Sequence, residues 1–221
     1  MSANTTNQQI TYPVGTDLAD NPTAFLDMLA DVEGRLVQRY TSNADRLARN
    51  PTPATGELSF VSGTTWYDRW TGAKWLPITP VQAVKTANQI INNSTTFTND
   101  LHLFVPIPTL NSTYAIEATI AYVSTAVADI KLQFTVPAGS GFNFGGYGAA
   151  TTGGTTGDAN FSWATNVSYG GSGSDMVAIL QGTLISGGTA GNLQLQWAQN
   201  TLEATNTTVY SRSWLRLTAI S

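Results

Sequence analysis

The chain has 221 residues, no cysteine, charged side chains at only 11% of positions and a formal net charge of −4. That composition excludes a disulfide framework, thiolate chemistry and cysteine metal sites. It also gives no electrostatic basis for binding nucleic acid or an anionic membrane. No apolar run is long enough to span a bilayer, and the polar start MSANTTNQQITYPVGT does not read as a secretory signal peptide. A surface with so few charges must be built from Thr, Ser, Asn, Gln and Gly, and Thr together with the aromatic residues favours strands.

Residues 1–22 are polar and carry Pro13, Gly15 and Pro22, which predicts an extended arm that orders on docking. Residues 23–39, TAFLDMLADVEGRLVQR, read as a helix capped by Thr23, with Asp27 and Asp31 early and Arg35 and Arg39 late. Phe25, Leu29, Val32 and Leu36 follow a 4-3-4 spacing. That spacing fits a face docked on the chain's own core, or a short coiled-coil seam between identical chains. Residues 40–55 read as a turn or short helix followed by a Pro-punctuated linker. Residues 56–78 then read as a small three-strand meander, with turns at SGTT and TGAK. Trp66, Trp70 and Trp75 crowd this stretch. With few aliphatic side chains nearby, they serve either as the core of the small module or as an aromatic ligand platform.

Residues 79–221 carry only Lys85, Lys131, Arg212 and Arg216 as basic residues, and strand-like runs recur at regular spacing. Tyr114, Ile116, Ala118, Ile120 and Tyr122 alternate with other residues, as do Ile130, Leu132, Phe134 and Val136, then Leu193, Leu195 and Trp197, then Leu215, Leu217 and Ala219. About eight such strands predict an antiparallel, jelly-roll-like β-sandwich with one face of each sheet buried. The fold class expected for the whole chain is therefore mainly β, with an N-terminal arm and one short helix. Residues 137–160 hold eight glycines between Gly139 and Gly157 and read as a long glycine-rich loop. Phe142, Phe144 and Tyr147 punctuate it, and Tyr169 opens a second short glycine loop. These four aromatics are the candidate ligand contacts; the alternative is that they fold back and pin the loops.

Catalytic signals are sparse. His102 is the single histidine and lies between Leu101 and Leu103 in a strand-like run, so a structural role is expected over a triad role. The acidic residues of the large domain, Asp100, Glu117, Asp129, Asp158, Asp175 and Glu203, are scattered singly. Asp158 and Asp175 flank the glycine loops, where they could meet at a calcium ion or act as a hydrolytic pair, which needs a separation of about 5–10 Å. The expectation is a non-enzyme with no cofactor and no metal.

The stretch RYTSNADRLARNPTPATGELSFVSGTTWYDRWTGAKWLPI resembles a segment of structural proteins of tailed bacteriophages, especially those of actinobacteria. Tyr40, Ala44, Arg46, Pro51, Pro53, Gly56, Glu57, Tyr67, Asp68, Gly72 and Trp75 match that pattern, while RWT between Asp68 and Gly72 departs from it. GTLISGGTAGNLQLQWAQNTLEATNTTVYSRSWLRLTAIS is similar to terminal sandwich domains of phage minor tail and fibre-like proteins. The resemblance implies a virion component, assembled in the host cytoplasm and released by lysis. It further implies a homotrimer, as in tumour-necrosis-factor-like sandwich knobs, attached to other virion proteins through the N-terminal arm. The knob would then meet a host cell-wall glycan. A capsid decoration or head fibre protein without a receptor is the alternative reading, and a small glycan hydrolase a third.

Overall fold

The computed structural model describes residues 3–4, 11–12, 36–151, 158–160 and 166–221. Two compact units are defined, Met1–Leu76 and Pro77–Ser221. Phe25, Leu29 and Val32 of the expected helix, and most of the expected arm, lie outside the described residues; Leu36 is described and exposed.

In the first unit, β1 (Ala3–Asn4) pairs antiparallel with β2 (Thr11–Tyr12). A separate sheet has the order β3 (Gln38–Tyr40), β4 (Leu58–Val61), β5 (Tyr67–Trp70) and β6 (Trp75–Pro77). The last three strands form the expected meander, and Gly63 and Gly72 take positive φ at its two turns. Strand β3 was not foreseen: Gln38 and Arg39, expected at the end of the helix over 23–39, are extended and paired with β4. The strand runs parallel to β4, and a parallel pair needs a crossover. The crossover is the stretch read as a turn or short helix followed by a linker: helix α1 (Asn43–Arg49) and the proline-rich return. Ser42 caps α1 by accepting from Asp45 N at 3.0 Å, so the polar TSNAD run starts the helix.

The second unit holds β7 (Val81–Val84), β8 (Gln89–Ile91), β9 (Thr98–Pro106), β10 (Thr113–Val123), β11 (Ile130–Thr135) and β12 (Gly141–Gly148). Then follow β13 (Asp158–Asn160), β14 (Val167–Tyr169), β15 (Asp175–Ile185), β16 (Asn192–Gln199), β17 (Thr207–Val209) and β18 (Trp214–Ala219). One sheet runs β13-β12-β15-β10, continued by β18 and β17 and then by β7 and β8; the other runs β14-β11-β16-β9. Count β7/β8 and β17/β18 each as one interrupted strand, and set β12 and β13 aside as an added edge. The order is then first-eighth-third-sixth in one sheet and second-seventh-fourth-fifth in the other. That is a jelly roll.

The expected alternation sets the core. Tyr114, Ile116, Ala118, Ile120 and Tyr122 are buried from one sheet, and Ile130, Leu132, Leu193, Leu195 and Trp197 from the other. Each large apolar side chain sealed this way contributes about 1.5–3 kcal/mol.

One expectation fails here, for a physical reason, and one strand departs from simple alternation. The glycine-rich loop at 137–160 contains a regular strand, β12, paired with β15 from Gly141↔Ile185 to Tyr147↔Ile179. Its glycines make room for a ring: a Cβ at Gly148 would stand 2.3 Å from Tyr169 Cδ1, and one at Gly146 2.7 Å from Tyr169 Oη. In β9 the register shifts between Gln194 and Gln196 of its partner β16. This bulge turns Asp100 inward and leaves Leu101 exposed, although Leu103 and Val105 keep the buried face.

Candidate functional site

The four aromatics expected to meet a ligand separate into two groups. Phe144 (3% exposed) and Tyr169 (0%) belong to the sandwich interior and present no face to a ligand. Phe142 is half-buried and joins Phe144 and Phe134 in a cluster, with ring centroids 5.2–5.6 Å apart. Only Tyr147 is well exposed, at 45%. It points outward because β12 alternates: 142, 144, 146 and 148 face inward, and 141, 143, 145 and 147 face outward.

That outward face carries a feature assembled by register alone. Tyr147 lies opposite Ile179, Ile179 opposite Thr119, Thr119 opposite Trp214, and Trp214 opposite Val84. The row crosses β12, β15, β10, β18 and β7, a span of about 19 Å at the usual strand spacing. Ile179 is 46% exposed, Val84 52% and, one step along β15, Val177 51%. The next row is polar, with Gln181, Glu117, Arg216 and Gln82 in register. Glu117 accepts from Arg216 Nε at 2.6 Å, which holds its carboxyl below the usual value.

Beside the row, Ala121 and Val177 form part of the wall of a cleft of about 430 Å³, which Asp175, Tyr210 and Arg212 also line. The Tyr210 hydroxyl donates to Asp175 Oδ1 at 2.8 Å, and this bond pushes the phenol pKa up. Asn88 Oδ1 accepts from Ser211 N at 2.8 Å, and Arg212 takes φ +78° at the β17–β18 turn. The cleft thus combines a carboxylate, a phenol, an amide and a guanidinium with an aliphatic wall. Its volume falls in the range of small-ligand sites. No local motif points to it, because its lining comes from four separate stretches. The one available signal is the unbroken apolar run Met176–Leu180, which puts side chains on both faces of a strand.

In the small unit, Trp66, Trp70 and Trp75 are each half-buried, so they ring the interior instead of filling it. The enclosed groups are a polar cluster together with Tyr40, Val61 and Leu76. Arg46 Nη1 donates to Asp68 Oδ2 at 2.7 Å and to Ser59 Oγ at 2.8 Å, and Nη2 donates to Asn43 Oδ1 at 2.8 Å. The guanidinium stacks 4.6 Å from the Trp75 ring, and Trp70 packs against Trp75 at 5.4 Å. Burial pushes the Asp68 carboxyl pKa up, while Arg46 and a hydrogen bond from Trp66 pull it back. The dent these residues leave beside α1 holds about 140 Å³, less than an ordinary ligand pocket.

His102 Nδ1 is buried without a hydrogen-bond partner. Among the described residues no group of three or more His, Asp and Glu converges as a metal site. The side chain of Asp158, expected to meet Asp175, lies outside the described residues. Also among the described residues, no helix is long and apolar enough to cross a membrane.

No protein-family model matches the sequence, and no curated protein matches it significantly. Among solved structures, a chain of the "Structure of infectious bursal disease virus Gt strain" is similar over 72% of this chain, with 10% identity and a TM-score of 0.21. The similar region spans 50% of that viral chain, and a likeness this low carries no argument about fold or function.

Proposed function

We propose that the chain is a non-enzymatic structural component of a bacteriophage particle. In this reading it is a homotrimeric, fibre-like protein, attached to other virion proteins through residues 1–22, with its jelly roll facing outward. One observation carries the self-association: strand register aligns Tyr147, Ile179, Thr119, Trp214 and Val84 on the outer face of the larger sheet, and Tyr147, Ile179 and Val84 of this row are exposed apolar side chains. An outer face of an antiparallel sandwich is ordinarily polar, and a contiguous apolar band there marks a contact surface. The phage context rests on the sequence resemblance. The adjoining cleft supports host-surface adhesion, since Asp175, Tyr210, Asn88 and Arg212 present polar groups beside an aliphatic wall, a combination suited to a neutral cell-wall glycan.

The test is the molar mass of the full chain by light scattering, together with retention on purified host cell-wall polysaccharide. The expected result is three times the chain mass, reduced to one chain by Ile179→Lys with strand content unchanged by circular dichroism. A monomeric native chain overturns the trimer. A trimer that retains no polysaccharide overturns the adhesin reading in favour of a capsid decoration or head fibre protein.

A further inference from the structure

Among the described residues the sandwich encloses one pair of opposite charges completely. Lys85 Nζ lies 2.7 Å from Asp100 Oδ2, and both side chains are 0% exposed. The two residues belong to different sheets. Lys85 directly follows β7, with its N–H on Ser213 O at 2.8 Å and its carbonyl accepting from Arg212 N at 3.0 Å. Asp100 sits in the β9 bulge. We propose that Lys85 and Asp100 condense to an intramolecular amide that links the two sheets covalently.

The surrounding hydrogen bonds suit the amide better than the ion pair. A lysine ammonium has three N–H bonds, and among the described residues the acceptors beside Nζ are two, Asp100 Oδ2 and Gln89 Oε1 at 3.2 Å. An amide nitrogen keeps one N–H, and Gln89 Oε1 is placed to accept it. Gln89 is itself fixed: its Oε1 accepts from Leu101 N at 2.9 Å and its Nε2 donates to Asn99 O at 3.1 Å. Asp100 Oδ1 accepts from two backbone groups, His102 N and Leu103 N, each at 2.9 Å. Two N–H donors converging on one carboxyl oxygen form an oxyanion hole for attack at Cγ, and they satisfy the amide carbonyl afterwards. The oxygen that leaves is Oδ2, whose other partner is Trp197 Nε1 at the longer distance of 3.2 Å.

The reaction balances without a co-reactant. One proton passes from Nζ to Oδ2 along their hydrogen bond, and the nitrogen lone pair attacks Cγ. Negative charge gathers on Oδ1. A second proton moves from nitrogen to Oδ2, the Cγ–Oδ2 bond breaks, and one water departs. An ammonium and a carboxylate become a neutral amide and water. Holding the groups in contact replaces a bimolecular encounter. Eliminating two buried charges removes a desolvation penalty that an ion pair only partly recovers. In a chain with no cysteine, this bond would supply a cross-link that reductants leave intact.

Mass spectrometry of the denatured full chain tests the proposal. The expected result is a mass one water, about 18 Da, below that of the sequence. Trypsin should fail to cut after Lys85 and should give one peptide over residues 75–131 carrying the whole deficit. Lys85→Arg should restore the full mass. Ordinary cleavage after Lys85 with no deficit in the native chain overturns the proposal, and so does a deficit that maps to any other peptide.

Discussion

Between β3 and β6 the enclosed groups are mixed: Arg46, Ser59 and Asp68 lie beneath half-buried tryptophans, and Tyr40, Val61 and Leu76 are the buried apolar side chains. From β7 onward the core is mostly aliphatic and aromatic, with Tyr114 to Tyr122 on one sheet facing Leu193 to Trp197 on the other and the Lys85–Asp100 pair enclosed in the same unit. The difference follows from architecture. A jelly roll has two sheets whose inner faces cover each other, so period-2 apolar residues are enough to exclude water. A single sheet of short strands covered by a seven-residue helix has too little apolar area for that. Its interior is organised instead by one arginine whose hydrogen bonds tie α1, β4 and β5 together. A buried pair of this kind adds little net stability compared with apolar packing, yet it is costly to break from one side.

The largest predicted effect breaks the small unit and leaves the sandwich alone. Arg46→Ala strands Asp68 in an environment that already raises its pKa, and should cost about 3–5 kcal/mol. Hydrogen-exchange mass spectrometry should show lost protection across β3 to β6 and unchanged protection in β10 and β16. Replacing both partners with apolar residues, Arg46→Met with Asp68→Leu, should recover most of the loss. Equal loss in the single and double variants would mean that the pair does not organise this unit.

The next effect belongs to the sandwich, where the interior tolerates no added volume. Gly148→Ala would place a Cβ 2.3 Å from the Tyr169 ring. Denaturant unfolding should show a loss at the upper end of the usual overpacking range, about 3 kcal/mol. Gly141→Ala, whose nearest neighbour would be Ile185 Cβ at an ordinary 3.7 Å, should cost far less. Similar losses for the two would mean that β12 depends on glycine for backbone reasons and not for room.

How much of this was legible before the structure depends on how local each cause is. Alternation in β10, β11, β16 and β18 is a property of consecutive residues, so the jelly roll was readable, and so were the glycine turns of the meander. Strand β12 was not, because glycines carry no period. Their reason is Tyr169, which reaches them from the other sheet. The inward turn of Asp100 depends on a bulge, and the Arg46–Asp68 bond joins residues 22 positions apart. The candidate site was the least legible part. Of the four aromatics singled out, Tyr147 alone belongs to the exposed row, and its companions Ile179, Trp214 and Val84 become neighbours only through strand register. The residues that matched the phage pattern are explained more directly. Arg46, Asp68 and Trp75 build the small interior, and Glu57 fixes the crossover by accepting from Asn50 Nδ2 at 2.5 Å and from Ala54 N at 3.0 Å.

The smallest predicted effect separates the two units by pH. Tyr122 is buried in the sandwich and donates to Gly170 O at 2.7 Å. Burial, helped by the nearby Asp129 charge, pushes its phenol from the ordinary 10.0 up to about 12. Between those values the unfolded chain has released the proton and the folded chain still holds it. Stability is therefore full below pH 10 and falls as pH rises, by about 1.4 kcal/mol per unit, until the folded phenol also ionises. Tyr122 lies in the second unit, so this loss of stability falls on the sandwich. Alkaline unfolding followed by hydrogen exchange should therefore open β10 and its neighbours before β3 to β6. In Tyr122→Phe the part of the slope due to this phenol should vanish, although the variant also gives up the bond to Gly170. A slope above pH 10 that Tyr122→Phe leaves unchanged would place the titrating group elsewhere in the sandwich and remove Tyr122 from the account.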